Sequence, residues 1–266
     1  MKVYVSVDME GISGIMLREQ LFRGEALYEE ARRLLTLEVN AVTEALVEAG
    51  ATQIIVKDAH GSGYNLLTEL LHPAAEYAMG ATRIENRFPG LTSDFAAALL
   101  IGYHAMGGTR EAVRDHTMSS SGWQSVQLNG KMIGEIGMDA LLFGLQGVPV
   151  CFVSGDDKTC KEAVEQLGHV SVYATKTATG RHSALIKPPV RSHAELKEAV
   201  KAAVKNVSAH YQPYALPGPY EMTMRFLHTE QADSRRYDNV HSERIDGVTA
   251  RYRHESLTDL LAMVFS

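Results

Sequence analysis

The sequence predicts an α/β protein: a mostly parallel central sheet flanked by helices, with a small C-terminal α+β lobe. Three observations predict it. Short, nearly unbroken apolar runs recur through residues 1–190, as in parallel strands buried on both faces. Longer stretches with helical periodicity separate them, the alternation that βα units produce. After about Val190 the texture changes to an amphipathic helix, a proline-rich connector and alternating strands, giving expected units of 1–190 and 191–266.

Lys2 to Val7 is β-rich and ends at Asp8, ahead of the loop Gly11-Ile-Ser-Gly14. A helix is expected from about Glu25 to Glu48, closed by Gly50. Gln53 to Lys57 is a second strand, leading into Asp58-Ala-His60-Gly61, and a short helix follows at Leu66 to Leu71. Ala96 to Tyr103 is a third strand and ends in His104. Ser125 to Gly134 alternates around Asn129-Gly130, a two-residue hairpin signal, and is expected as a hairpin inserted in the parallel sheet. Ile136 to Leu145 reads as helix, Val148 to Val153 as a buried strand, and Lys158 to Leu167 as helix. Ser192 to Val207 is expected as a helix capped by Ser192, with Glu195 in the capping-box position. Glu221 to Leu227 and Val248 to Tyr252 alternate like strands, and Leu257 to Phe265 closes the chain as helix.

Composition narrows the function. A hydrophobic share of 45% against 22% charged residues supports a packed core and argues against bulk disorder. The net charge of -6 argues against nucleic acid as partner, because phosphate neutralisation needs a concentrated basic surface. Arg235, Arg236, Arg244, Arg251 and Arg253 do cluster, but Asp233, Asp238, Glu243 and Asp246 interleave with them. Cys151 and Cys160 lack CxxC spacing and read as buried thiols of a reducing compartment. No apolar run approaches the roughly 18 residues of a membrane span, and the N-terminus reads as a strand; the cytoplasm is the expected location.

The chemistry lies at the strand ends. Asp8 and Glu10 follow the first strand, His60 the second, His104 the third, and Glu135 the hairpin. In a parallel sheet the C-terminal ends share one edge, where ligand sites collect. Each residue alone has a plainer reading, as a helix cap, a surface carboxylate or a loop histidine satisfied by backbone. Together they make a set of N and O donors that suits Zn²⁺. Five ligands exceed the usual three of one catalytic zinc, and a carboxylate shared between two ions accounts for the surplus. His116, in Asp115-His116-Thr117-Met118, lies in a loop that would overhang this rim and is a candidate catalytic group.

Ser6-Val7-Asp8-Met9-Glu10-Gly11 resembles the Ser-x-Asp-x-Glu-Gly signature of the DppA-type D-aminopeptidases, the M55 metallopeptidases. The resemblance continues in order through Lys57-Asp58-Ala59-His60, Gly102-Tyr103-His104-Ala105, His116-Thr117-Met118, Gly134-Glu135-Ile136-Gly137 and Gly155-Asp156-Asp157. It implies a bridged centre of two Zn²⁺ per subunit, with Asp8 spanning both ions. Glu10 and His60 would complete one site, His104 and Glu135 the other, and His116 would be the catalytic histidine. It also implies a cytoplasmic homodecamer acting on short peptides, with preference for D-residues at the N-terminus.

Two other readings compete. The strand ending in Asp8-x-Glu10-Gly11, with Gly155-Asp156-Asp157 later, loosely resembles Mg²⁺-dependent haloacid dehalogenase-type phosphatases. Those require Asp-x-Asp, and His60 and His104 would have no task. The second is a metal-dependent peptide-binding protein without turnover, against which the intact donor set and His116 argue.

Overall fold

Why the first strand stops where it does sets up the whole molecule. In the computed structural model, which describes residues 1–205 and 207–265, β1 (Lys2–Val7) ends at Asp8, whose N–H still donates to the Ile101 carbonyl at 2.8 Å. After it come α1 (Tyr28–Glu48), β2 (Gln53–Asp58), β3 (Glu76–Ala78), β4 (Ala97–Ile101), β5 (Trp123–Leu128), β6 (Lys131–Met132) and α2 (Glu135–Leu145). Then follow β7 (Val150–Asp156), α3 (Asp157–Leu167), β8 (Ser171–Gly180), β9 (Ser183–Ile186), α4 (Pro189–Val204) and α5 (Val207–His210). The chain closes with β10 (Tyr220–Phe226), α6 (Thr229–Asp233), β11 (Ser242–Arg244), β12 (Thr249–His254) and α7 (Leu257–Phe265).

Seven strands form a sheet in the order β3-β2-β1-β4-β7-β8-β9, parallel except for β9. Five more form an antiparallel sheet, β11-β12-β10-β5-β6. The predicted fold class holds. The hairpin at Asn129-Gly130, however, is not inserted in the parallel sheet: β5 pairs with β10 of the second sheet.

Alternation along β1 divides the core. Val3, Val5 and Val7 face α1 and α4, packing with Leu35, Val39, Leu196 and Val200. Tyr4 points to the other face, among Phe88, Phe95, Leu100 and Phe143. Helix α2 lies between the two sheets: Ile136, Ala140 and Phe143 join this second cluster, while Met138 and Leu141 pack with Met222, Met224 and Leu260 of the antiparallel layer. That double burial is why its sequence is apolar on both faces apart from Glu135 and Asp139. Residues after 190 divide accordingly, with α4 and Val207 of α5 on the α1 side and the elements from β10 onward in the second layer.

Several boundaries differ from expectation. Helix α1 begins at Tyr28, three residues later than expected, and the segment at Leu66 to Leu71 forms only a 3₁₀ turn, Thr68–Leu70. Ser192 does not cap α4; Pro189 occupies the first turn, where a missing N–H costs nothing, and Ser192 is buried inside the helix. The expected helix through Val207 crosses position 206, which lies outside the described residues. The Arg-rich stretch is neutralised locally, with Arg253 on Glu221 at 2.8 Å, Arg251 near Glu243 at 3.4 Å and Arg244 on Asp233 at 2.5 Å. Both thiols are free and buried, and burial pushes each up to about 12. Among the described residues, no helix is long and apolar enough to cross a membrane.

Candidate metal centre

The rim is drawn tight by backbone. Gly102 adopts φ +69°, and a Cβ there would lie 2.3 Å from the Asp8 carbonyl oxygen. Gly11 donates its N–H to the Gly102 carbonyl at 2.8 Å, and a Cβ on Gly11 would stand 2.0 Å from the Tyr103 carbonyl oxygen. Glycine at both positions lets the ends of β1 and β4 touch. From beneath, the buried Lys176 donates to the carbonyls of Glu10 at 2.6 Å, Ile12 at 2.7 Å and Ile15, holding the Glu10 loop in shape.

All six residues singled out from the sequence then converge, five of them through contacts of 2.9–3.3 Å. His60 Nδ1 lies 2.9 Å from Asp8 Oδ1 and 3.1 Å from Glu10 Oε2. His104 Nε2 lies 3.3 Å from Asp8 Oδ2 and 3.2 Å from Glu135 Oε1. Asp8 thus stands between the two histidines, one carboxylate oxygen toward each. His116 stacks on His104 with centroids 3.9 Å apart, and its Nε2 is 3.8 Å from Glu135 Oε1. Glu135 starts α2, where the helix dipole favours a carboxylate, and its Oε1 also accepts the Met118 N–H at 2.7 Å.

The outer nitrogen of each imidazole is committed. Nε2 of His60 donates to the Leu21 carbonyl at 3.0 Å, Nδ1 of His104 to Ala105 at 3.0 Å, and Nδ1 of His116 to Arg114 at 2.9 Å. A carbonyl only accepts, so each outer nitrogen carries hydrogen, and in the neutral ring the inner nitrogen presents a lone pair. Those lone pairs face carboxylate oxygens. Buried Glu10 Oε2 and His104 Nε2 have no hydrogen-bond partner among the described residues. Lone pairs aimed at lone pairs in a buried site repel unless a proton or cation lies between them. Backbone ties that fix the tautomer are also the usual support of metal-ligating histidines. The donor set therefore fits divalent cations, and grouped donor atoms occur as Asp8, Glu10 and His104, and as His104, His116 and Glu135.

The family model described as peptidase M55, D-aminopeptidase, matches residues 1–265. This chain belongs to the D-aminopeptidase family. It is 33% identical over 233 residues to the D-aminopeptidase of Bacillus subtilis (strain 168), covering 88% of this chain and 84% of that one. Its fold superposes with a TM-score of 0.92, at 30% identity and with 99% of this chain and 95% of the other covered, on the Zn-dependent D-aminopeptidase DppA from Bacillus subtilis, described as a self-compartmentalizing protease.

The electrostatics of this peptidase site are those of carboxylates forced together. Burial, then the Glu10 charge, push Asp8 up to about 7. Burial also opposes charge on Glu10, but His60 outweighs it and holds the group well below the usual carboxylate range. For Glu135, His104 overcomes burial and brings the carboxyl down to about 2. Burial disfavours the imidazolium of His60 and of His104, yet the facing carboxylates, Glu10 first for His60 and Glu135 first for His104, raise both well above normal. His116 goes the other way: burial and neighbouring His104 lower it.

A cleft of about 540 Å³ opens over this cluster, lined by Asp8, Glu10, His60, His116 and Glu135 with Phe22 and Tyr28 on its wall. Asp156, which the phosphatase reading needs, is occupied elsewhere: it caps α3 through the Thr159 N–H at 2.7 Å and accepts the Val113 N–H at 2.8 Å. Sequence reasoning missed Lys176, Arg87, Asp139 and Tyr103, all close to the centre. Asp139 had a visible signal, a carboxylate inside an otherwise apolar helix.

Proposed function

We propose that this chain is a dinuclear zinc aminopeptidase that releases N-terminal D-amino acids from short peptides. The single observation carrying the proposal is the trio of imidazoles, each tied outward to a backbone carbonyl and aimed inward at a carboxylate. Asp8 would bridge the two ions, Glu10 and His60 would complete one site, and His104 and Glu135 the other. Two zinc ions held there would supply a water-derived nucleophile near neutral pH and polarise the scissile carbonyl.

The protein's own groups do the rest. His116, with Nδ1 committed to Arg114, turns Nε2 into the cleft beside Glu135. It can take up a proton there and return it to the leaving amine, or stabilise the developing oxyanion as imidazolium. The carboxylates of Asp8, Glu10 and Glu135 would balance the charge of the ions in the loaded site. The 3.8 Å gap between His116 and Glu135 leaves the histidine out of their hydrogen bonding and able to exchange its proton. Preference for D-residues is supported by the Bacillus relatives, both named as D-aminopeptidases. The self-compartmentalizing character of the solved relative supports a homo-oligomer here, with a decamer the expected state.

A panel of L- and D-aminoacyl p-nitroanilides and short peptides, assayed with and without added Zn²⁺, tests this reading. Zinc-dependent release from D-substrates is expected. Zinc-loaded protein that binds peptides tightly without turnover would instead favour a binding role, and Mg²⁺-dependent hydrolysis of a phosphate ester would revive the phosphatase.

A further inference from the structure

Arg87 enters the centre from an irregular segment and reaches the ligand residues only as a long ion pair with Glu135. Its nearest approach is Nη2, 4.0 Å from Glu135 Oε2. The guanidinium is locked from behind by Asp139, which takes Nε at 2.5 Å and Nη2 at 2.9 Å. Asp139 is in turn held by the Tyr103 hydroxyl at 2.6 Å, and that hydroxyl meets Ser6 Oγ at 2.7 Å. Nη1 has no acceptor among the described residues. A fork fixed on one edge with the other edge free is preorganised for an anion.

The space around it agrees. Arg87 and Met118 line both the 540 Å³ cleft and a neighbouring cavity of about 440 Å³ that runs to Ala262 and Phe265 of α7. Arg23 and Arg83, which line one cavity each, are exposed, whereas the Arg87 side chain is 14% exposed. A cation shielded in this way keeps most of its attraction for an anion, and a solvent-exposed one does not.

We propose that Arg87 recognises, through its Nη1 edge, the free C-terminal carboxylate of a dipeptide substrate, so that the leaving residue lies in the cleft over Glu135 and Arg87 with its side chain toward the Phe265 cavity. This inference rests on the aminopeptidase reading. Arg87 stands 4.0 Å from Glu135 of the cluster, so a carboxylate one residue beyond the scissile bond, ~3.3–3.6 Å of extended chain, reaches the guanidinium when the peptide lies over both side chains. The amine end lies at the metal cluster, where the aminopeptidase reading puts the scissile bond, and the carboxylate lies at Arg87, which fixes both direction and length.

The test compares a D-alanyl dipeptide with its C-terminal amide, using the full zinc-loaded chain. Wild type should favour the free acid through KM, and Arg87→Met should reduce the acid-to-amide ratio of kcat/KM by about 10–100-fold, the scale of a lost charge-assisted bond. Arg87→Lys should fall between, keeping charge without the fork. Calorimetric binding of the reduced-amide analogue (CH₂–NH in place of the scissile amide), as acid and as carboxamide, should show the same preference without turnover. Equal losses on acid and amide would overturn the proposal and leave Arg87 as a support for α2 through Asp139. Wild type that does not distinguish acid from amide would overturn it without any variant. Wild type that cleaves neither would remove the aminopeptidase reading, and this inference with it.

Discussion

At the scale of residues, the same arrangement gives each histidine a different dependence. His60 offers its inner nitrogen to Asp8 and Glu10, so His60→Ala should lose both zinc and rate. His116 touches the cluster only by stacking and at 3.8 Å, so His116→Ala should keep its zinc and lose about 10²–10⁴ in kcat, the usual worth of general acid–base catalysis. Metal content and kcat measured on the same preparations separate the two; zinc lost from both variants would make His116 a ligand. These positions were legible because each follows a short apolar strand, and a polar group at a buried strand end needs a reason. Arg87 was not legible, since the stretch from Gly80 to Pro89 has no period and its arginines look alike in sequence. Only the fold shows that Arg87 is enclosed while Arg83 is exposed.

Elements place these residues, and the contact between β1 and β4 is the least forgiving. Gly11→Ala would drive a methyl into backbone at 2.0 Å, which must push the Glu10 loop off the β4 end. Zinc affinity is expected to fall even if the chain folds, as a chelator competition would show. Beneath that loop, Glu38 of α1 accepts the Ser13 N–H at 2.9 Å, and burial pushes its carboxyl from 4.5 to about 7. A carboxyl raised in the folded state contributes stability that is full below about 4.5 and is lost as pH rises through about 7. Relative to wild type, Glu38→Gln should therefore gain Tm progressively across that interval; parallel Tm curves would contradict it. Strands β1, β2, β4 and β7 were readable as uniform apolar runs. Strand β8 was not, because it mixes buried Thr175 and Lys176 with exposed positions. A lysine in such a stretch reads as surface, whereas here it is fully buried on three carbonyls. The hairpin was found but misplaced, since turn chemistry identifies a hairpin without saying which sheet receives it.

For the whole molecule, the parallel sheet provides the rim and the antiparallel layer, through α2, fixes Glu135 against it. A ligand that binds only the folded state stabilises it by mass action, so chelation should lower Tm reversibly, with recovery on adding Zn²⁺. The central claim is that two zinc ions lie between carboxylates and imidazoles brought together from four segments of the chain. Titrating zinc into the metal-free protein, while following D-aminoacyl p-nitroanilide hydrolysis and bound metal together, tests it most directly. Activity should rise as occupancy approaches two ions per chain. Full activity persisting after chelation, with less than one ion per chain, would contradict the account.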